Sequence, residues 1–361
     1  MLTIDLAAIA ANWRALSERA APAECGAVVK ADGYGLGLEP VARTLRAEGC
    51  RTFFVAQLAE GRRLRMHDRE SAIYVLNGLL PGTAAAYAAH DLRPVLGSVA
   101  EVNEWIAFRA SADWRGGAAM HVDTGMNRLG LTFREAAALA ERDVAVRAGV
   151  DLLMSHFAVS EDAAHPLNAR QMGLFRDLRA LYPGLRASLA NSSGIFLGPD
   201  AHHDLVRPGV ALYGANPTPG HANPMRACVR LEARVVQVRA VTEGDTVGYG
   251  AAWTARRPSR IAVVAAGYAD GFLRSAGATD RRREGADATV AGRRCLVAGR
   301  ISMDLLAIDV TDCDEGVPRR GDLVTLIDDD IGIDQVADRA GTIAYEILTS
   351  LGRRYARVYR K

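Results

Sequence analysis

The chain has 361 residues, of which 49% are hydrophobic and 24% charged, with a formal net charge of +2. That length suits two domains or one large barrel. The near-neutral balance argues against nucleic acid or an anionic membrane as the main partner, and no stretch approaches the roughly 18 apolar residues of a membrane span.

Glycine, at 35 residues, exceeds an average share of about 7% and points to many tight turns. The five cysteines (Cys25, Cys50, Cys228, Cys295 and Cys313) are scattered, without CxxC or CxxH spacing, so no metal site is expected. They read as buried thiols of a cytoplasmic protein. The N-terminus carries Asp5 and no basic segment, unlike a signal peptide. The Arg281-Arg282-Arg283 run adjoins Glu284 and reads as a solvated loop.

In chain order, Asp5 precedes Ile9, Trp13 and Leu16 on one helical face. Residues 26–29 form a short apolar strand, and 53–55, 73–76, 118–122, 152–155 and 205–213 are further strand candidates. Between them, Ser98 with Glu101 and Thr132 with Glu135 fit the capping box, in which each side chain satisfies the other residue's free N–H. Met172, Phe175, Leu178 and Leu181 share a helical face. Strand–helix repetition over the first 210 or so residues predicts parallel strands with helical crossovers, hence a (β/α)8 TIM-type barrel over 1–220. Periodicity alone leaves an open sheet as the alternative. Lys30, Arg128 and His156 fall just after strand candidates, where such barrels collect functional residues.

Pro217, Pro219, Gly220 and Pro224 then mark a connection. Val229, Leu231, Ala233 and Val235 alternate with charged residues before the apolar phase slips at Val236, as at a bulge. Strands 260–265, 305–310 and 323–327 follow, with little helix before Asp334. Residues 221–361 are therefore expected to form a C-terminal, mostly-β domain.

Two of the 44 basic residues are lysines, Lys30 and the terminal Lys361. Arginine replaces lysine where only charge is wanted, but not where a neutral amine must attack a carbonyl. Lys30 in Val28-Val29-Lys30-Ala31-Asp32-Gly33-Tyr34-Gly35 is thus a candidate nucleophile, although chance survival in an arginine-rich composition gives the same count. Gly33, Gly35 and Gly37 are evenly spaced and do not make a GxGxxG phosphate loop.

Around Lys30 the sequence resembles the pyridoxal-phosphate segment of the alanine racemase family. In order come Asp123-Thr124-Gly125-Met126-Asn127-Arg128, Ser155-His156-Phe157-Ala158, Asn191-Ser192-Ser193-Gly194 and Arg207-Pro208-Gly209-Val210. Gly267-Tyr268-Ala269-Asp270-Gly271, Gly299-Arg300-Ile301-Ser302-Met303-Asp304 and Ala344-Tyr345-Glu346-Ile347 complete the set. The resemblance spans essentially the whole chain. It implies racemisation of L- and D-alanine with pyridoxal 5'-phosphate bonded to Lys30, which also acts as base on one face of the α-carbon. Tyr268 is implied as acid or base on the other face.

Arg207 is implied to face the cofactor ring nitrogen and keep it unprotonated, which limits side reactions. Tyr34, Ser192 and Tyr345, with the backbone N–H groups of Gly209 and Val210, are implied for the phosphate. Asn191 is implied as a neighbouring helper, and His156 as a partner of the ring or its network. The guanidinium of Arg128 is implied for the substrate carboxylate or the cofactor's phenolic oxygen, and Met303, through its N–H, for the carboxylate. Tyr268 and Met303 would come from the partner of a homodimer. One position departs from the family: many members carry a carbamate-modified lysine seven residues before the substrate arginine, and here it is His121. A different group must fix Arg128. Alternatives are a broader amino-acid racemase, a decarboxylase on the same architecture, and a non-catalytic cofactor carrier.

Overall fold

A computed structural model describes all of residues 1–361. Seven parallel strands run in sequence order from Ala27–Val28 through Thr52–Val55, Ala72–Val75, Arg93–Leu96, Ala118–His121 and Val150–Met154 to Arg186–Ser188. Leu205–Val206 is the eighth and closes the ring. It pairs in parallel with Glu24–Cys25, and Asp204 and Arg207 donate to the carbonyls of Ala187 and Ala190 at 3.0 and 2.9 Å. The N-terminal unit is thus the closed (β/α)8 barrel expected.

The local causes are readable. Asp5 caps the helix Leu6–Ala20, its carboxylate accepting the Ala8 N–H at 2.8 Å. Ser98 accepts the Glu101 N–H, and Thr132 with Glu135 forms a reciprocal capping box. Each such cap is worth about 1 kcal/mol. Phe53, Phe54 and Val55 are all buried, because a barrel strand meets side chains inside and helices outside and so reads as a continuous apolar run. Burying each phenylalanine contributes about 1.5–3 kcal/mol.

Expectation and structure differ at three places. Residues 205–213 were expected as one strand, but the strand stops at Val206 and Val210–Tyr213 is a 3-10 turn. Pro208 has no N–H to continue the ladder. Strands Arg93–Leu96 and Arg186–Ser188 lacked an apolar signature, the first holding Pro94 and the second Arg186 and Ser188. The third difference concerns the first residues, assigned by sequence to the barrel. Leu2–Asp5 instead lies in the second unit's sheet, antiparallel to Val229–Val241 and parallel to Arg357–Arg360.

That second unit is mostly β. Val229–Val241 pairs antiparallel with Ser259–Val264 and with Leu323–Ile327. Its register slips between Val235 and Gln237, where the apolar phase slips in the sequence. Ser259–Val264 pairs on with Leu306–Asp309, and the helices Ile333–Ala340 and Ala344–Ser350 follow. One continuous apolar core joins the two units.

Candidate active site

Lys30 follows the first barrel strand, and the four residues after it form a left-handed turn. Ala31, Asp32, Gly33 and Tyr34 have φ of 53°, 57°, 63° and 53°. Each non-glycine residue in that region costs roughly 1–2 kcal/mol, so the turn needs outside support. Glu60 supplies some, accepting the Ala31 N–H at 2.6 Å. Arg63 supplies more, donating to Asp32 at 3.0 Å. At Gly35, with φ of +81°, a Cβ would collide with the Leu348 carbonyl of the second unit. Gly35, and Gly37 against the Tyr359 hydroxyl, therefore serve close packing against the C-terminal unit. The turn sends Tyr34 inward, where its ring stacks on Tyr213 at 4.6 Å.

Lys30 opens onto a cavity of about 330 Å³ at the C-terminal ends of the strands. Ten of the twelve residues singled out from sequence line it. Lys30 and Tyr34 come from the first strand end, Arg128 from the fifth, His156 from the sixth, Asn191 and Ser192 from the seventh. Arg207, Gly209 and Val210 come from the eighth, and Tyr345 from the helix Ala344–Ser350. His121 lines it too, as do Leu129, next to Arg128 in its motif, and Asn77, which no motif marked. A larger hollow of about 580 Å³ at the junction of the units is lined by Asp5, Asp328, Asp329 and Asp334 and holds no lysine or histidine.

The cavity is cationic. Lys30, Arg128 and Arg207 line it, with no aspartate or glutamate among the lining residues. Arg207 is only 3% exposed. Its guanidinium donates to the Ser188 hydroxyl, to the Ser155 carbonyl at 2.6 Å and toward the His156 Nδ1 at 3.4 Å. Every one of these acceptors is neutral. Burial without a counter-ion pulls its pKa down to about 9, which still leaves a cation at neutral pH. The Lys30 ammonium is destabilised first by burial and then by Arg128, against an opposing pull from Glu60. Burial and the guanidinium of Arg207 hold His156 well below the usual imidazole range and His121 at about 4, Arg128 adding to both. Both imidazoles are neutral at pH 7.

His121 therefore supplies no anion to Arg128. What organises that arginine's loop is Asp123, whose carboxylate accepts the N–H groups of Gly125, Met126 and Asn127 at 2.9, 2.9 and 3.0 Å. Arg128 itself is exposed at the cavity mouth.

At the opposite wall, Ser192 Oγ accepts the N–H groups of Gly209 at 2.9 Å and Ala211 at 3.2 Å. The N–H expected from Gly209 is thus directed at Ser192. With both lone pairs engaged, the Ser192 hydroxyl has only its own hydrogen to offer. A Cβ at Gly209 would collide with the Tyr34 hydroxyl. Asn191 supports this wall from behind, its Oδ1 accepting from Ser160 Oγ and the Gly194 N–H, both at 2.8 Å. Tyr345 stands with its ring 6.1 Å from that of Tyr34.

Tyr268 and Met303 are elsewhere. They sit together on the second unit, Tyr268 donating its N–H to Ser302 and Ala269 to Met303, each at 3.0 Å. Their side chains are 39% and 53% exposed, and neither lines the cavity.

Comparison with known proteins gives this architecture a family. The N-terminal domain of alanine racemase matches residues 4–217 and its C-terminal domain matches residues 228–359. The chain is 53% identical to an alanine racemase of Methylobacterium sp. (strain 4-46), over 99% of this chain and 97% of that one. Among solved structures, alanine racemase from Bartonella henselae with covalently bound pyridoxal phosphate superposes with a TM-score of 0.94. It is 40% identical, covering 100% of this chain and 99% of that one. The biosynthetic alanine racemase from Pseudomonas aeruginosa gives 0.93 at 35% identity, covering 100% and 99%. The chain belongs to the alanine racemase family.

Proposed function

We propose that this protein interconverts L- and D-alanine, with pyridoxal phosphate bonded to Lys30. The observation that carries the reading is the cavity: the chain's one internal lysine opens into a space with three cations and no carboxylate. Such a lining suits a dianionic phosphate ester joined to an aromatic aldehyde. Tyr34, Tyr345, the Ser192 hydroxyl and the Val210 N–H would hold the phosphate, with the Gly209 N–H orienting Ser192 and Asn191 bracing the same wall. Arg207 would face the ring nitrogen, and His156 would hold Arg207. Bound pyridoxal phosphate supplies an electron-withdrawing group that makes the substrate's α-hydrogen acidic.

The chain's own residues then handle the proton. Lys30, its amine freed when the substrate amine takes its place and its ammonium destabilised by burial, would remove or return it on one face of the α-carbon. Arg128 pairs with the substrate carboxylate or the cofactor's phenolic oxygen, and the Met303 N–H adds a donor. The Tyr268 hydroxyl serves the opposite face. Because Tyr268 and Met303 lie exposed outside this cavity, we place them in the site of the partner subunit of a homodimer. The residue ranges 1–220 and 221–361 describe the division of labour: the first carries most of the cofactor site, and the second adds Tyr345 to the same cavity while its Tyr268 and Met303 complete the neighbouring one. No helix is long and apolar enough to cross a membrane, and we assign the enzyme to the cytoplasm. There D-alanine feeds peptidoglycan synthesis or, in the reverse direction, alanine catabolism.

The test is incubation of the protein and pyridoxal phosphate with L-alanine in deuterated water, followed by chiral chromatography and mass measurement. D-alanine carrying one α-deuterium is expected. No D-alanine, with the visible absorbance of the lysine-bound cofactor intact, would overturn the alanine reading in favour of another amino acid.

A further inference from the structure

We infer that Glu60, acting with Arg63 on the same helix face, is the positioning residue that aims Lys30 into the cavity. The left-handed turn at 31–34 contains three non-glycine residues, so it does not persist by its own preference. Glu60 lies on the helix Leu58–His67, which follows the second barrel strand. One of its carboxylate oxygens accepts the N–H of Ala31, the residue next to Lys30, at 2.6 Å. The other accepts the N–H groups of Ala56 and Gln57 at 2.8 and 3.1 Å. A single carboxylate thus ties the end of the first strand to the end of the second through charge-assisted bonds.

Arg63, three residues on and hence on the same helix face, reaches the turn's Asp32 at 3.0 Å and Glu39 at 2.7 Å. The two side chains grip the segment that fixes where the Lys30 amine points. Glu60 also acts on the amine through space. Of the charges felt by Lys30, Arg128 disfavours its ammonium form and Glu60 favours it. Arg207 is the cavity's remaining cation, and His156 and His121 are neutral there at pH 7. Glu60 touches backbone and not the reacting atoms, so its role is exercised through Lys30 and rests on the reading of Lys30 given above.

The sequence offers an unusually clean test, because Lys30 and Lys361 are its only lysines. Full-length protein is freed of cofactor with hydroxylamine and pulsed with an amine-acylating reagent across a pH series. Modification of Lys30 is read by peptide mass against Lys361 as internal reference. Hydrogen exchange of the peptide spanning 29–36 is followed in parallel. Glu60→Gln loses the charge and presents an NH2 to one set of N–H donors. Its Lys30 labelling profile is expected to move to lower pH, and exchange at 29–36 to quicken roughly tenfold or more. Glu60→Asp keeps the charge but withdraws it by one C–C bond, ~1.5 Å. It should quicken exchange while leaving the labelling profile closer to wild type.

An unmoved profile and unchanged exchange in Glu60→Gln would overturn the inference. Faster exchange with an unmoved profile would overturn it as well, reducing Glu60 to a structural clip. Failure of the wild-type protein to bind pyridoxal phosphate at Lys30 is a separate result, and it would strike the proposed function instead.

Discussion

Ser192 is where a single atom has two jobs, so Ser192→Ala gives two separable readouts. Its oxygen accepts the N–H groups of Gly209 and Ala211, in surroundings where Ser192 itself is buried. Removing it strands two buried donors at about 1–3 kcal/mol each, and partial relaxation brings the expected loss to about 2–4 kcal/mol. That loss belongs to the protein without cofactor, and denaturant midpoints at constant slope measure it. The same substitution removes the hydroxyl hydrogen offered to the phosphate. A hydrogen bond to a charged group is worth about 1.5–3 kcal/mol, so the dissociation constant for pyridoxal phosphate should rise roughly 10- to 100-fold. Titration of the visible absorbance band measures it. Ser192→Thr keeps the hydroxyl and should recover affinity better than alanine does. Cofactor-free stability within about 0.5 kcal/mol of wild type, the range of an ordinary surface change, would refute the two-acceptor picture. Unchanged affinity would refute the free donor.

Lys30→Arg keeps the charge and removes the nucleophile, so the visible cofactor band and activity should both vanish; retained activity would sink the assignment. Tyr268→Phe should slow proton removal from one enantiomer more than from the other, and equal deuterium uptake from both would count against two faces served by two residues. Mixing these two variant proteins under exchange conditions should restore up to about a quarter of wild-type activity. A two-fold dimer forms half mixed pairs, each with one intact site, and no recovery would place both groups on one chain. His121 gives a pH signature. Its folded pKa of about 4 lies below the ordinary value of 6.5, so between those values the unfolded chain holds more protons and stability falls as the pH drops. His121→Gln should lose less stability than wild type between pH 6.5 and 4, as read from paired urea melts; parallel curves would argue against the buried neutral imidazole.

The sequence marked residues by chemistry better than it marked them by place. Lys30 was legible because arginine cannot replace a nucleophilic amine, and Arg207 and Ser192 because the motifs that hold them resemble a known family's; all three line one cavity. The bulge near Val236 was legible because a slip in pleat phase must appear as a slip in apolar spacing. The strands at Arg93–Leu96 and Arg186–Ser188 were not. A short strand in a closed ring is held by its two neighbours' backbones, whatever its side chains prefer. Glu60 escaped notice for a related reason. It reads as an ordinary helix-start carboxylate, and only the tertiary structure brings it against Ala31. The separation of Tyr268 from Lys30 was anticipated through the family resemblance alone, since a linear string records order and not distance.

The strand Leu2–Asp5 has a consequence for how the protein is made. Leu2 and Ile4 are fully buried, yet their two partner strands lie at Val229–Val241 and Arg357–Arg360. At a synthesis rate of about 5–20 residues per second, the nascent amino end waits roughly 10–45 s for its first partner and longer for its second. Through that interval a bare apolar edge hangs from an otherwise closing barrel, open to pairing with any neighbouring strand. A barrel cut away at the inter-unit connection would keep that edge exposed permanently. Shielding of the first few residues until Val229–Val241 has emerged would therefore favour the yield of folded protein.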